Sequence, residues 1–148
     1  YEYDFASSSN GGKSSKGRMV VEGEDYSAVM DSLIWCKFVR KVFDEFYVES
    51  SEILNNVTGW DMDPNQLARC GERINNLKKQ FNIREGWVKD QDNLPKRIFT
   101  EPLSDDENRQ SLSESDLGIM IKSYYDAREW TSDGLIPESK LKSLGIEC

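Results

Sequence analysis

The chain has 148 residues, 37% hydrophobic and 31% charged, with a net charge of −8. That length fits one ordinary domain, and the acidic balance argues against nucleic acid or an anionic membrane as the main partner. No run is long and apolar enough to span a bilayer, and no signal peptide is visible. The absence of histidine excludes every Ser-His or Cys-His nucleophile within the chain, and every His-containing zinc site. Cys36, Cys70 and Cys148 are an odd number without close pairing, which is no disulfide framework. They point to a reducing, cytoplasmic setting. Because it opens at Tyr1 rather than Met, the chain is expected to be a fragment or processed product.

Residues 1–17 carry linker chemistry, rich in Gly, Ser and Lys, and are expected to be flexible. Gly11, Gly12, Lys13 and Ser14 echo a phosphate-binding loop, but the first glycine and a preceding strand are missing. A helical domain is expected over 18–148. Residues 18–21 read as a short extended entry, followed by a helix over about 24–35. Val29, Met30 and Leu33 recur there at helical spacing, and Glu24 and Asp25 sit where a helix N-terminus favours negative charge.

Cys36 closes that apolar run, with Lys37 and Arg40 bringing positive charge beside its sulfur. Positive charge favours the thiolate, the form that binds metal or attacks an electrophile. A buried small hydrophobe is the alternative reading.

A second helix is expected over 41–56, weakest at 48–51, with Gly59 as its left-handed C-terminal cap. The third is the best defined. Asp63 is a good N-cap, Pro64 takes the first helical position, and Gln66 closes a capping box. Leu67, Cys70, Ile74, Leu77 and Phe81 form one apolar stripe, opposite a polar face that includes Asn76 and Lys79. Gly71 in mid-helix points to close approach of a neighbouring element.

Residues 82–106 read as a long structured loop pinned by Ile83, Trp87, Leu94, Ile98 and Phe99, with a solvated turn at 105–110. Ser113 and Asp116 open a fourth helix over about 114–129, with Leu117, Met120, Ile121 and Tyr124 inward. A last short helix starts at Pro137, buries Leu141 and Leu144, and stops at Gly145 with Ile146 as the contact beyond. The fold class is all-α, an irregular domain of about five helices.

Carboxylates are distributed as solvated helix faces. Asp61 and Asp63 lack the glycine and closing glutamate of a calcium loop. Arg84 and Glu85 read as a helix-exit ion pair. Tyr124 and Tyr125 read as neighbours in core and surface rather than as proton donors.

Several pieces taken in order carry more. They are Asp31-Ser-Leu-Ile-Trp-Cys36-Lys-Phe38, Thr58-Gly-Trp-Asp61, Gly71-Glu-Arg-Ile74, Phe81-Asn-Ile-Arg-Glu-Gly86 and Leu94-Pro-Lys-Arg97. Tyr124-Tyr-Asp-Ala-Arg128-Glu-Trp130 and Gly134-Leu-Ile-Pro137 follow. Together they resemble the C-terminal helical domain of the aldehyde:ferredoxin oxidoreductases, the tungsten-pterin enzymes of anaerobes. The resemblance covers roughly residues 21–146.

The resemblance implies an Asp-x-x-Gly-Leu-Cys motif at Asp31 to Cys36. It implies that Asp31, with Trp35 beside it, contacts one of the two pterins that hold tungsten, and that Cys36 is the fourth ligand of a [4Fe-4S] cluster. Ile34 stands where that motif has glycine, and Trp35 where it has leucine. The family's other three cluster cysteines lie in an earlier Cys-x-x-Cys-x-x-x-Cys run, which this sequence does not contain. The resemblance therefore implies a parent enzyme that oxidises aldehydes, with ferredoxin and the remaining N-terminal domains as partners. The isolated chain is expected to hold neither metal nor cluster and to be inactive. The competing expectation is a cofactor-free helical interaction module, in which Cys36 is packing. A domain stripped of its neighbours should instead expose apolar surface around residues 35–38.

Overall fold

The computed structural model describes residues 16–101 and 112–146. Among the described residues six α-helices follow in order: α1 Lys16–Ser32, α2 Phe46–Thr58, α3 Pro64–Arg84, α4 Arg97–Thr100, α5 Glu114–Arg128 and α6 Glu138–Ser143. Two 3-10 turns, Lys37–Lys41 and Lys89–Gln91, join them, and no strand occurs among the described residues. The expected all-α class is what forms.

The residues fall into two compact groups. One comprises 22–85 and 136–146, and so holds most of α1, with α2, α3 and α6. Its core is Val29, Met30, Phe46 and Leu67, flanked by Tyr26, Leu33, Trp35, Val39, Phe43, Tyr47, Leu54 and Met62. The aromatic rings interlock: Trp35 lies 4.3 Å from Phe43, and Tyr26 lies 4.1 Å from Phe46. Phe43 meets Phe46 edge-on at 5.6 Å. Such pairs add about 0.5–1.5 kcal/mol each beyond their buried area.

Helix α3 starts as its sequence dictates. Asp63 accepts from the Gln66 N–H, and the Gln66 side chain accepts from the Asp63 N–H, both at 2.9 Å. Asn55 clasps the backbone of Met62 through both ends of its amide at 2.9 Å, fixing the connection from α2. Gly59 ends α2 with φ 74°, and Gly145 ends α6 with φ 65°. The Ile146 N–H bonds back to the Leu141 carbonyl at 3.0 Å. Leu141, Leu144 and Ile146 are all buried.

Three expectations need correction. Helix α1 begins at Lys16, so residues 18–21 are helical rather than extended, and Glu24 and Asp25 lie in mid-helix. Lys16 and Gly17, assigned to the flexible segment, belong to it as well; the rest of that segment lies outside the described residues. Gly17 supplies the reason: it sits so close to the backbone of Ser123 and Tyr124 that a β-carbon would not fit. Packing overrides the weak propensity of Val20 and Val21.

The second helix is split differently. The break falls at 42–45, whereas 48–51 is helical, with Ser50 and Ser51 buried. The apolar stripe of α3 fails beyond Ile74. Leu77 and Phe81 are 54% and 53% exposed, while Asn76 and Lys79 are buried. The buried residues of α3 are Leu67, Gly71, Asn76 and Lys79, because Gly71 admits the backbone of α1 at Asp25.

The other group comprises 16–21, 86–101 and 112–135. Ser113 caps α5 by accepting from the Asp116 N–H at 3.1 Å. Arg128, at the end of α5, is buried, with its guanidinium 5.6 Å over the Tyr124 ring. Residues 82–84, expected in the long loop, instead end α3, so Ile83 is helical; the loop after them carries the Lys89–Gln91 turn and α4, and Trp87, Leu94, Ile98 and Phe99 are half-buried pegs as expected. The turn expected at 105–110 lies outside the described residues.

Candidate functional site

The site is the exit from α1. The Ile34 N–H bonds to the Asp31 carbonyl at 3.1 Å and the Trp35 N–H to the Met30 carbonyl at 3.0 Å. This pair of bonds is the Schellman closure, which needs a left-handed residue at its hinge. Here the hinge is Ile34, with φ 60°. A glycine would adopt that conformation without strain, which gives a physical reason for the glycine of the motif.

Past the hinge, Trp35 turns onto Phe43 and Phe46 and anchors the segment to the core. Cys36 is extended (φ −65°, ψ 130°) and precedes the Lys37–Lys41 turn. Its thiol is free and exposed, which answers the buried-packing alternative. The Tyr26 hydroxyl donates to the Arg40 carbonyl at 3.0 Å, tying that turn back to α1. Asp31 is exposed in the last turn of α1, and Lys37 reaches it with Nζ 2.8 Å from Oδ1. The structure thus brings Asp31, Cys36 and Lys37 into one short segment.

Around them lies bare apolar surface. Ile34 is 91% exposed, Phe38 95% and Val42 71%. Large apolar side chains at 34, 38 and 42 are thus exposed along the chain on either side of the free thiol. The sequence flagged residues 35–38 for exposure; the inward turn of Trp35 and the outward ones of Ile34 and Val42 were not legible there. Among the described residues, no three His, Cys, Asp or Glu are grouped as metal ligands.

Two further places bring polar or reactive side chains together. Trp60, Arg69, Cys70, Arg73 and Leu144 line a cleft of about 420 Å³. Arg69 is engaged there with the Ser143 carbonyl, and Cys70, expected in the core, is only half-buried. In the other group, Asp92 is gripped from two sides. Trp87 Nε1 donates to its Oδ1 at 3.0 Å, and the Tyr125 hydroxyl donates to its Oδ2 at 2.5 Å. Burial, then that hydrogen bond, raises the Tyr125 phenol above its usual range and keeps it protonated. Tyr125 is thus the buried member of the Tyr124–Tyr125 pair and is tied to Asp92. Arg84 and Glu85 do pair, at 3.2 Å on the surface.

A free thiol and a carboxylate thus share one solvent-facing helix exit in an all-α chain. Comparison with known proteins gives the family. The family described as aldehyde ferredoxin oxidoreductase, domains 2 and 3, matches residues 4–146, and the chain belongs to that family. The tungsten-containing aldehyde ferredoxin oxidoreductase of Pyrococcus horikoshii is 37% identical over 133 residues, 89% of this chain and 21% of that protein. Its namesake in Pyrococcus abyssi is 36% identical over the same shares. That of Thermococcus kodakarensis is 34% identical over 132 residues, 88% of this chain and 21% of that protein. The chain therefore spans about a fifth of the length of the curated relatives it matches. No helix among the described residues is long and apolar enough to cross a membrane.

Proposed function

We propose that this chain is the C-terminal domain of a tungstopterin enzyme that oxidises an aldehyde and water to a carboxylate, releasing two electrons and three protons. A [4Fe-4S] cluster held in part by this chain would supply the electron path, with ferredoxin as the acceptor. Asp31 accepts hydrogen bonds from a pterin, and Cys36 ligates one iron of the cluster. Trp35 supports both from behind by fixing the segment to the aromatic core.

One observation carries the reading. Cys36 and Asp31 are both exposed at one helix exit, in a segment whose apolar residues Ile34, Phe38 and Val42 lie open to solvent. The donor set fits the groups. An ionised carboxylate accepts from ring N–H donors, and a thiolate binds iron. A [4Fe-4S] cluster takes four thiolates, and the family resemblance puts the other three in an earlier run that this sequence does not contain. Bound tungsten supplies the two-electron oxidation; the residues here hold and orient the groups and, once covered, exclude water from them. The exposed apolar segment is where the remaining domains of the parent would cover the site.

The test is the tungsten and iron content of the full-length protein, purified anaerobically, with and without Cys36→Ala. Tungsten with about four irons per chain, and iron lost or a cluster spectrum altered by the substitution, is the expected result. A full-length protein that binds neither metal overturns the reading and leaves the helical interaction module in its place.

A further inference from the structure

We propose that Lys37 is a positioning residue of this site, holding the Asp31 carboxylate toward the pterin while its charge raises the reduction potential of the cluster at Cys36. The inference rests on the function proposed above.

The geometry is specific. Asp31 lies in the last turn of α1, and Lys37 opens the turn after Cys36. The two are too far apart in sequence to be neighbours on a helix. Only the Schellman closure at Ile34 folds the chain back far enough to bring Nζ to 2.8 Å from Oδ1. Lys37 engages Oδ1, and Oδ2 is the oxygen assigned here to the pterin. A carboxylate pinned at one oxygen presents the other in a fixed direction, which is how outer partners orient a first contact.

As the chain stands, both side chains are partly in water, 43% exposed for Lys37 and 61% for Asp31. Exposed pairs of this kind are weak. The same segment exposes Ile34, Phe38 and Val42, apolar side chains that the remaining domains of the parent would cover. Once that segment is covered, the pair is desolvated, and an Asp31 without its cation becomes a buried unpaired charge. The same ammonium is carried by the residue next to Cys36. Reducing the cluster adds negative charge, and a nearby fixed positive charge favours that state, more strongly as water is excluded.

The test uses the full-length enzyme as wild type, Lys37→Gln and Lys37→Arg. The readouts are pterin content and the midpoint potential of the cluster, followed by its EPR signal during redox titration. Lys37→Gln is expected to lower the potential by about 59 mV, tenfold in a one-electron equilibrium, and to reduce pterin content severalfold. Lys37→Arg keeps the charge and is expected to restore both. A purely structural role would not move the potential in this charge-dependent way. Wild-type potential and pterin content in Lys37→Gln overturn the inference alone. A wild-type enzyme lacking cluster and tungsten overturns the function proposed above, and this inference with it.

Discussion

Gly71 of α3 receives the Asp25 backbone carbonyl of α1 at a spacing that leaves no room for a β-carbon. One turn on, Asn75 Nδ2 donates to the Asp25 carboxylate at 2.7 Å, so the same approach is fastened by a side chain. This contact sets which face of α3 is buried, and α1 carries the site at its far end.

Replacing Gly71 tests that contact. Gly71→Ala gains about 1 kcal/mol of helix propensity. Against this, the new methyl meets backbone atoms, which have no rotamer to yield, and overpacking of this kind costs about 1–3 kcal/mol. The expected net effect is destabilisation despite the better helix former. The urea midpoint should fall with an unchanged slope. An unchanged or higher midpoint would show that α1 and α3 separate at no cost.

The parts of the fold that were legible in the sequence are those fixed by local chemistry. Asp63, Pro64 and Gln66 announce the start of α3, and Gly59 and Gly145 announce stops, because caps and left-handed glycines act within a few residues. The start of α1 was hidden, because Gly17, Val20 and Val21 are poor helix formers held by packing that sequence does not display. The buried face of α3 was misread for a related reason. An apolar stripe predicts burial only if the partner arrives on that side, and Gly71 invites it elsewhere. At the site, Asp31 and Cys36 were legible through the family resemblance, and Lys37 was seen only as charge near sulfur. Its pairing with Asp31 depends on a left-handed isoleucine, a conformation that a β-branched residue does not advertise.

Ile34 itself gives the second prediction. A left-handed conformation costs an L-residue about 1–2 kcal/mol relative to glycine. Ile34 is 91% exposed, so its side chain returns little burial in this chain. Ile34→Gly is expected to stabilise the chain by about 1 kcal/mol, less than the full strain because glycine gains freedom when unfolded. A raised midpoint in denaturant unfolding is the readout. The same substitution in the full-length protein should gain less, because covering that segment would bury the isoleucine. A loss of stability in the chain alone would mean that Ile34 is not strained.

The third prediction concerns alkaline pH. Burial, followed by the neighbouring Asp25 carboxylate, pushes the Tyr47 phenol up to about 12, against 10.0 for the free group. The folded chain therefore holds this proton more tightly than the unfolded one. That contribution to stability is fully present below about pH 10 and is lost as pH climbs through about 12. Tyr125, raised by burial and by its bond to Asp92, acts in the same direction. Stability measured between pH 9 and 12 should thus fall more steeply for the wild type than for Tyr47→Phe, which has no phenol to ionise at that position. Below about pH 9 the difference between the two should be constant, because both states of the wild type then keep the proton. Parallel curves through the alkaline range would place the Tyr47 hydroxyl in water rather than against the core beside Asp25.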